Sequence, residues 1–256
     1  MNHFSDRLAE SVERKHSQVV VGLDPFPDRV ADPESFCKEI VDAVAPFAVA
    51  VKPQSAFFEA RGWAGVRAFE SVCAYAREAG LLVISDVKRG DIGTTAQAYL
   101  DAVRPHADAA TVNPYLGSDA VQPFLDACRE GFGIFVLVKT SNPSSGDVQD
   151  ARLADGRRVW ELVAEHVARW GRDVPSVGAV IGATYPEELE TARRLLPRTP
   201  FLLPGVGAQG ATAEDCAAAF PGLTLVSASR SVIFADDPAA AAERLAREVW
   251  DVAQAA

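Results

Sequence analysis

The sequence predicts an α/β fold, a single (β/α)8 TIM barrel formed by residues 1–256 as one domain. Two observations predict it. Eight short apolar runs of strand length recur along the chain, with longer amphipathic stretches between them. Eight such strand and helix units in 256 residues fit one closed parallel barrel. The hydrophobic fraction of 48% suits one large core better than two small ones.

The predicted strands follow one another at similar spacing, and several are rich in the β-branched residues that favour strands. In chain order they are VVVGLD (19–24), FAVAVK (47–52), LLVISD (81–86), ADAATVN (107–113), GIFVLVK (133–139), VGAVIGA (177–183), FLLPGV (201–206) and LTLVSAS (223–229).

Residues that begin or end helices lie between these runs. Side-chain oxygens cap the first turn of a helix, proline fits its first position, and glycine fits the position after its last turn. The longest irregular segment is predicted at 141–156. The predicted N-caps are Asp32 before Pro33, Ser118 and Thr212, and helix ends are predicted at Gly80 and Gly131.

An open doubly wound parallel sheet is the alternative fold. In its dinucleotide-binding form, the first strand is followed by a glycine-rich GxGxxG turn. No such turn follows residues 19–24, which argues against that form and favours the barrel.

Charge and composition exclude several classes of protein. The net charge of −10 argues against nucleic-acid binding by bulk electrostatics. No apolar run approaches the roughly 20 residues of a membrane span, and the first predicted helix lacks the apolar stretch of a signal peptide. The four cysteines form no CxxC pair, and the four histidines have no metal-ligand spacing. We therefore expect a cytoplasmic protein with reduced thiols, no metal, and no nucleic-acid or membrane partner.

Polar residues follow most of the predicted strands, at the end of a barrel where active sites form. Because side chains alternate along a strand, Asp86 and Lys88 share a face with Ile84, and Lys52 shares one with Ala50. If these faces point into the barrel, the charged groups at its mouth converge. The polar strand ends are Asp24, Lys52, Asp86 with Lys88, Asn113, Lys139 followed by Ser141, and Ser227 with Ser229.

Each of these residues has a structural interpretation by itself. Asp86 with Lys88 could be an ordinary ion pair, and Asp91 the N-cap of the next helix. Four charged side chains converging on one mouth are harder to explain in that way, since burying a charge costs several kcal/mol unless it is paired. Their convergence favours a catalytic site.

The segment DVKRGD (86–91) matches the DxKxxD signature of the orotidine 5'-monophosphate decarboxylase family, and the chain resembles that family over most of its length. Sugar-phosphate decarboxylases and synthases of the same superfamily share DxKxxD, so the accompanying segments make the resemblance specific. Two of them, TVNPYLG and SNPSSGD, are typical of one subgroup. The matching segments are GLDP (22–25), VKPQ (51–54), TVNPYLG (111–117), KTSNPSSGD (139–147), PGVGAQG (204–210) and SASRS (227–231).

The resemblance implies decarboxylation of orotidine 5'-monophosphate to UMP and CO2, in pyrimidine biosynthesis, without cofactor or metal. It implies that Lys88 stabilises a carbanion at C6 and donates a proton to it. Asp86 would lie against the departing carboxylate. Lys52 and Asp91 would complete the charge network around Lys88.

The resemblance also implies the binding residues and a homodimer. Asp24 would bind ribose hydroxyls and Ser141 the pyrimidine ring, and Asn113 is a further substrate-binding candidate. The neighbouring subunit's site would receive Asp91, Ile92 and Thr95, and the carboxylate pocket would be formed by Ile84, Leu137 and Pro204.

A phosphate site is expected beside the last two strands, where barrels often bind phosphate at a loop and a short helix. The glycine-rich segment GVGAQGATAED offers backbone donors and Gln209, and Arg230 follows the eighth strand. The family assigns phosphate contacts to the matching residues.

Two alternative functions stay open at this point. One is a magnesium-dependent sugar-phosphate decarboxylase or synthase of the same superfamily, which needs an acidic metal ligand near the first or second strand, where Lys52 stands. The other is a non-catalytic phosphate-binding barrel, in which a lysine flanked by two carboxylates would have no use.

Overall fold

Eight parallel strands pair in sequence order and close into a barrel in a computed structural model, which describes residues 2–207, 210–220 and 222–256. The last strand pairs with the first, with Val20 opposite Ser227. The predicted (β/α)8 barrel is therefore confirmed, and the open doubly wound sheet is wrong. The strands are β1 Val19–Leu23, β2 Ala50–Pro53, β3 Leu82–Arg89, β4 Ala109–Val112, β5 Gly133–Lys139, β6 Val177–Ile181, β7 Phe201–Pro204 and β8 Thr224–Ala228.

Helices connect the strands on the outside of the barrel. Two short 3-10 helices, Pro143–Ser145 and Glu214–Ala219, accompany them. The α-helices are α1 Phe4–Lys15, α2 Pro33–Val44, α3 Ser55–Glu59, α4 Gly62–Glu78, α5 Gly93–Val103, α6 Ser118–Arg129, α7 Gly146–Gln149, α8 Val159–Trp170, α9 Pro186–Leu195, α10 Arg230–Ile233 and α11 Pro238–Ala255.

Three of the five predicted helix boundaries are confirmed. The Asp32 side chain accepts hydrogen bonds from the backbone N–H groups of Glu34 and Ser35, at 3.0 and 3.2 Å, as an N-cap should. Gly80 and Gly131 follow α4 and α6 with φ of +77° and +95°, a conformation that glycine adopts without steric cost.

The other helix predictions need correction. Ser118 is the first residue of α6, and Gly117, with a φ of +93°, is its N-cap. Thr212 precedes a 3-10 helix that begins at Glu214, so it caps no α-helix. The segment 141–156 is not irregular throughout, because it contains a 3-10 turn and α7.

The interior of the barrel is a separate apolar layer, which α1 closes at the N-terminal end of the strands. Phe4 packs edge-on against Phe135, with ring centroids 6.0 Å apart. A Cβ on Gly133 would lie 2.3 Å from the Phe4 ring, so only glycine leaves room for it. The opposite end of the barrel carries the C-terminal ends of the strands. The interior layer comprises Phe4, Leu8, Val12, Val20, Val49, Ala50, Ile84, Ala109, Phe135, Val180, Leu202 and Leu225.

The predicted alternation of side chains is confirmed within the strands. Ala50 and Ile84 lie in the interior layer, on the face that was expected to carry Lys52 and Asp86. The alternation fails just before β2. There Ala48 packs in the core between the barrel and its helices, and Val49 packs in the interior layer. The strand begins only at Ala50, so the alternation does not extend upstream of it.

Each of the four cysteines is a buried free thiol, and burial raises its pKa. In the described part of the chain, no helix is both long and apolar enough to cross a membrane.

Candidate active site

β3 contains a bulge near its end, in the part of the strand that carries Asp86 and Lys88 of the DxKxxD segment. Between the pairs Ser85 with Ala110 and Arg89 with Val112, β3 advances four residues while β4 advances two. Lys88 lies inside this bulge with a φ of +45°, in the left-handed region that residues with a Cβ rarely adopt. β3 thus extends through Arg89, beyond the predicted end at 86.

The Asp86 carboxylate accepts hydrogen bonds from four side chains. Lys52 Nζ lies 2.6 Å from Oδ2, and Lys88 Nζ lies 2.5 Å from Oδ1. Gln54 Nε2 donates to Oδ2 at 3.1 Å, and Thr111 Oγ1 donates to Oδ1 at 3.0 Å. The predicted convergence of Lys52, Asp86 and Lys88 is therefore what the structure has. Gln54 and Thr111 are additional members that were not predicted from the sequence.

The two ion pairs determine the charge of the buried groups. Burial by itself raises the pKa of Asp86, but Lys52 and Lys88 outweigh burial and hold that pKa well below its usual range. Burial lowers the pKa of Lys52, and the carboxylates of Asp86 and Asp24 outweigh it, so the net shift is upward. At neutral pH the site therefore contains a carboxylate and an ammonium in direct contact, both largely excluded from water.

A cavity of about 340 Å³ lies above this network. Its polar wall includes Lys88, whose side chain is 44% exposed, whereas that of Asp86 is only 6% exposed. Lys88 is thus the charged group most accessible to a ligand. The lining residues are Lys52, Asp86, Lys88, Thr111, Leu137, Thr140, Ser141, Asn142, Val180, Leu202 and Pro204.

The predicted binding residues around the cavity divide into two groups. Ser141, Leu137 and Pro204 line the cavity. Ile84 is fully buried beneath it in the barrel interior. Asn113 does not line it, and its Oδ1 accepts a hydrogen bond from the backbone N–H of Tyr115 at 3.0 Å.

Asp24, directly after β1, has one carboxylate oxygen that is hydrogen-bonded and one without a partner among the described residues. Its Oδ2 accepts a hydrogen bond from Ser229 Oγ at 2.5 Å. Its Oδ1 is buried and has no hydrogen-bond partner among the described residues. Gly22 makes this arrangement possible, since a Cβ there would lie 2.9 Å from Ser229 Cβ. An oriented carboxylate oxygen without a partner can accept a hydrogen bond from a ligand hydroxyl.

Asp91, Ile92 and Thr95 lie apart from the charge network of their own chain. Asp91 Oδ1 accepts a hydrogen bond from the backbone N–H of Ile92 at 2.8 Å, and Asp91 forms no ion pair with any described residue. Ile92 is 55% exposed, and Thr95 is exposed. α5 begins at Gly93 with Ile92 as its N-cap, so the interpretation of Asp91 as the N-cap is wrong.

Of the two predicted phosphate residues, Arg230 lies in the described part of the chain. Arg230 is exposed at the first position of α10, immediately after β8. Gln209 lies outside the described residues.

A second ion pair, between the buried Lys139 and the partly exposed Asp150, fixes the segment that follows β5. Lys139 is 1% exposed, and its Nζ donates to both oxygens of Asp150 at 2.8 and 2.7 Å. Gly182 packs directly on the same segment, since a Cβ there would lie 2.9 Å from Ser141 Cα. Ser141 is thus held at the cavity wall from both sides. The sequence identified Lys139 as a polar strand end but gave no sign of its partner.

The pKa of Asp86 leads to a prediction about acid stability. A carboxyl whose pKa is lower in the folded chain stabilises the fold above its unfolded pKa, and that stabilisation is lost as the pH falls toward the folded pKa. Between about pH 4 and pH 2 the free energy of unfolding should fall more steeply in the wild type than in Asp86→Asn, by up to about 1.4 kcal/mol per pH unit.

Urea denaturation at several pH values measures this slope. Asp28→Asn, which changes an exposed aspartate, is the matched control and should keep the wild-type slope. Equal slopes in the wild type and in Asp86→Asn would contradict the assignment of a lowered pKa to Asp86.

Comparisons with known proteins agree with this geometry. The model of the orotidine 5'-phosphate decarboxylase / HUMPS family matches residues 17–245. The orotidine 5'-phosphate decarboxylase of Haloarcula marismortui is 45% identical, over 93% of this chain and 89% of that protein. The one of Deinococcus radiodurans is 48% identical, over 91% and 89%.

The solved structure of Leishmania donovani OMP decarboxylase superposes with a TM-score of 0.89 at 37% identity, covering 99% of this chain and 100% of that chain. The range matched by the family model includes every strand of the barrel and the DxKxxD segment. The chain therefore belongs to the orotidine 5'-phosphate decarboxylase / HUMPS family.

Proposed function

We propose that this chain converts orotidine 5'-monophosphate to UMP and CO2, without cofactor or metal, in the de novo synthesis of pyrimidine nucleotides. Its close relatives, 41–48% identical over most of their length, are orotidine 5'-phosphate decarboxylases, so the chain is a carboxy-lyase of that kind. The observation that carries the proposal is the Asp86 carboxylate paired with Lys52 and Lys88 at the wall of a cavity.

The chemical difficulty of this reaction is the carbanion that it forms. When the bond between C6 and the carboxylate breaks, CO2 leaves and the electron pair stays on C6 in the plane of the ring, with no adjacent electron sink. The Lys88 ammonium, the most exposed of the three charged groups, stabilises that charge and then transfers its proton to C6. Solvent returns the proton to Lys88 after UMP leaves.

Asp86 acts on the substrate through its negative charge. Its lowered pKa keeps it ionised, so it repels a substrate carboxylate bound beside it. The repulsion disappears as the carboxylate becomes neutral CO2. It therefore destabilises the bound substrate more than the transition state, which lowers the activation barrier. Lys52 keeps Asp86 in place and ionised while the substrate changes charge.

The remaining parts of the substrate have candidate partners around the mouth. Asp24, whose buried Oδ1 has no partner among the described residues, is the candidate for binding ribose hydroxyls, and Ser141 is the candidate for the polar edge of the pyrimidine. Leu137 and Pro204 provide an apolar surface near the reacting carboxylate, above the buried Ile84. We assign the phosphate to Gln209 and Arg230, and keep Asn113 as a further substrate-binding candidate.

A homodimer with shared sites is part of the proposal. Asp91, Ile92 and Thr95 would enter the neighbouring site, where Asp91 would join Lys88 and a ribose hydroxyl. Exposed apolar side chains support an interface here, since Ile92 is 55% exposed and Tyr115 is 83% exposed. The segment after β3, which carries Ile92, adjoins the segment after β4, which carries Tyr115, because Gly90 packs against Asn113.

The alternative functions are less favoured by the site. Both carboxylate oxygens of Asp86 pair with ammonium groups, and the end of β2 carries Lys52. A magnesium ion that used Asp86 as a ligand would therefore have to displace these ion pairs. A phosphate-binding barrel without activity does not explain two lysines on one carboxylate. We also propose a cytoplasmic location, supported by the four free thiols.

The activity can be tested by mixing the purified chain with orotidine 5'-monophosphate and EDTA and following the pyrimidine absorbance. The wild type should form UMP, and Lys88→Ala should lose at least about 1,000-fold in kcat, because the carbanion loses its stabilising charge and its proton donor. Lys38→Ala, on the distant helix α2, is the matched lysine control and should keep wild-type turnover. Full activity in folded Lys88→Ala would refute the assigned role.

Shared sites can be tested by mixing two inactive variants, Lys88→Ala and Asp91→Ala, under conditions that exchange subunits. Half of the randomly mixed dimers would carry one site with both wild-type residues, so activity should return to roughly a quarter of the wild-type value. Size-exclusion chromatography confirms that subunits exchange. If exchanged dimers stay inactive, Lys88 and Asp91 do not meet across subunits.

A further inference from the structure

We propose that Thr111 is a positioning residue for the reaction, and that its hydroxyl holds the Asp86 carboxylate and the Lys88 backbone in their active geometry. The inference rests on the proposed function, because it concerns the groups that would act on the substrate. Thr111 lies on β4, directly opposite the bulge of β3.

The bulge leaves a backbone N–H group of β3 without its usual acceptor on β4, and the Thr111 side chain provides one. In a regular parallel pair, the N–H groups of one strand donate to carbonyls of the next at even intervals. β3 and β4 lose that pattern between Ser85 and Arg89. Within this gap the Lys88 N–H donates to Thr111 Oγ1 at 2.9 Å, so a side-chain oxygen replaces the missing backbone acceptor.

The same oxygen also contacts the carboxylate. Thr111 Oγ1 lies 3.0 Å from Asp86 Oδ1, the oxygen that accepts from Lys88 Nζ. A hydroxyl can donate one hydrogen bond and accept two. Because the Lys88 N–H can only donate, the hydroxyl accepts from it and gives its own proton to Asp86. One atom therefore fixes the relative position of the Asp86 carboxylate and the Lys88 main chain.

Losing the hydroxyl should disturb both partners. The Lys88 N–H would have no acceptor, and the left-handed φ of +45°, which its Cβ disfavours, would lose a bond that holds it. Asp86 would lose one of its four donors and could rotate away from Lys88. Either change moves the Lys88 ammonium relative to C6. Turnover is more sensitive to such a displacement than substrate binding is.

Thr111 is suited to a clean test because valine has nearly the same shape. The side chain is buried, so Thr111→Val removes the hydrogen bonds while filling the same space. Thr111→Ser keeps the hydroxyl and removes the methyl group. Thr224→Val is the matched control, since Thr224 is equally buried, donates to Ala219 O at 2.8 Å and lies at the start of β8, away from the cavity.

The experiment measures kcat and KM for orotidine 5'-monophosphate per mole of folded protein. Thr111→Val should lower kcat by about 100-fold with KM within about threefold of wild type, and Thr111→Ser should restore kcat to within about threefold. Thr224→Val should lose thermal stability and keep kcat. If Thr111→Val does not fold, the pair Thr111→Ala and Thr111→Ser is compared in the same way.

Two results would overturn the inference while leaving the proposed function intact. One is wild-type kcat in folded Thr111→Val, and the other is a loss in Thr111→Ser as large as in Thr111→Val, which would assign the effect to the methyl group. A wild-type chain that does not convert the substrate would instead refute the proposed function itself.

Discussion

The Asp86 carboxylate, held between the ammonium groups of Lys52 and Lys88, is the interaction on which the site depends. A carboxyl this deeply buried tends to be neutral, because desolvation penalises its charged form. The two cations, with hydrogen bonds from Gln54 and Thr111, outweigh that penalty and keep the group ionised. One carboxylate thereby joins β2, β3 and β4 at the mouth of the barrel. The two buried charges, on Asp86 and Lys52, stabilise each other.

The surrounding fold supports this arrangement from three directions. α1 fills the lower end of the barrel with Phe4 and its neighbours, so the charged groups rest on a closed apolar layer. Asp86 and Lys88 of β3 both line one cavity, and Lys88 does so from within the bulge of that strand. Above them, the ion pair of Lys139 and Asp150 holds the segment after β5 against the rim. The site is therefore built on strand ends and on one clamped segment, which suits a reaction that needs fixed charges.

Local sequence patterns were sufficient for the strands and for the convergence of Lys52, Asp86 and Lys88, because strand alternation and barrel polarity follow from short segments. The bulge was not predictable, because it arises from the pairing of β3 with β4 and not from either segment alone. The pairing of Asp150 with Lys139 was not predicted, because the two residues come into contact only when the segment after β5 folds back on the strand. Thr111 did leave a signal, since alternation places it on the inward face with Ala109.

The central claim is that Asp86 stays ionised because two ammonium groups flank it, and carbon-13 NMR of the aspartate carboxyl groups measures this most directly. The Asp86 signal can be identified by its absence in Asp86→Asn. This signal should keep the chemical shift of a carboxylate down to about pH 3, where an ordinary aspartate with a pKa of about 3.9 is mostly protonated. A titration midpoint at or above about pH 4 would contradict the account.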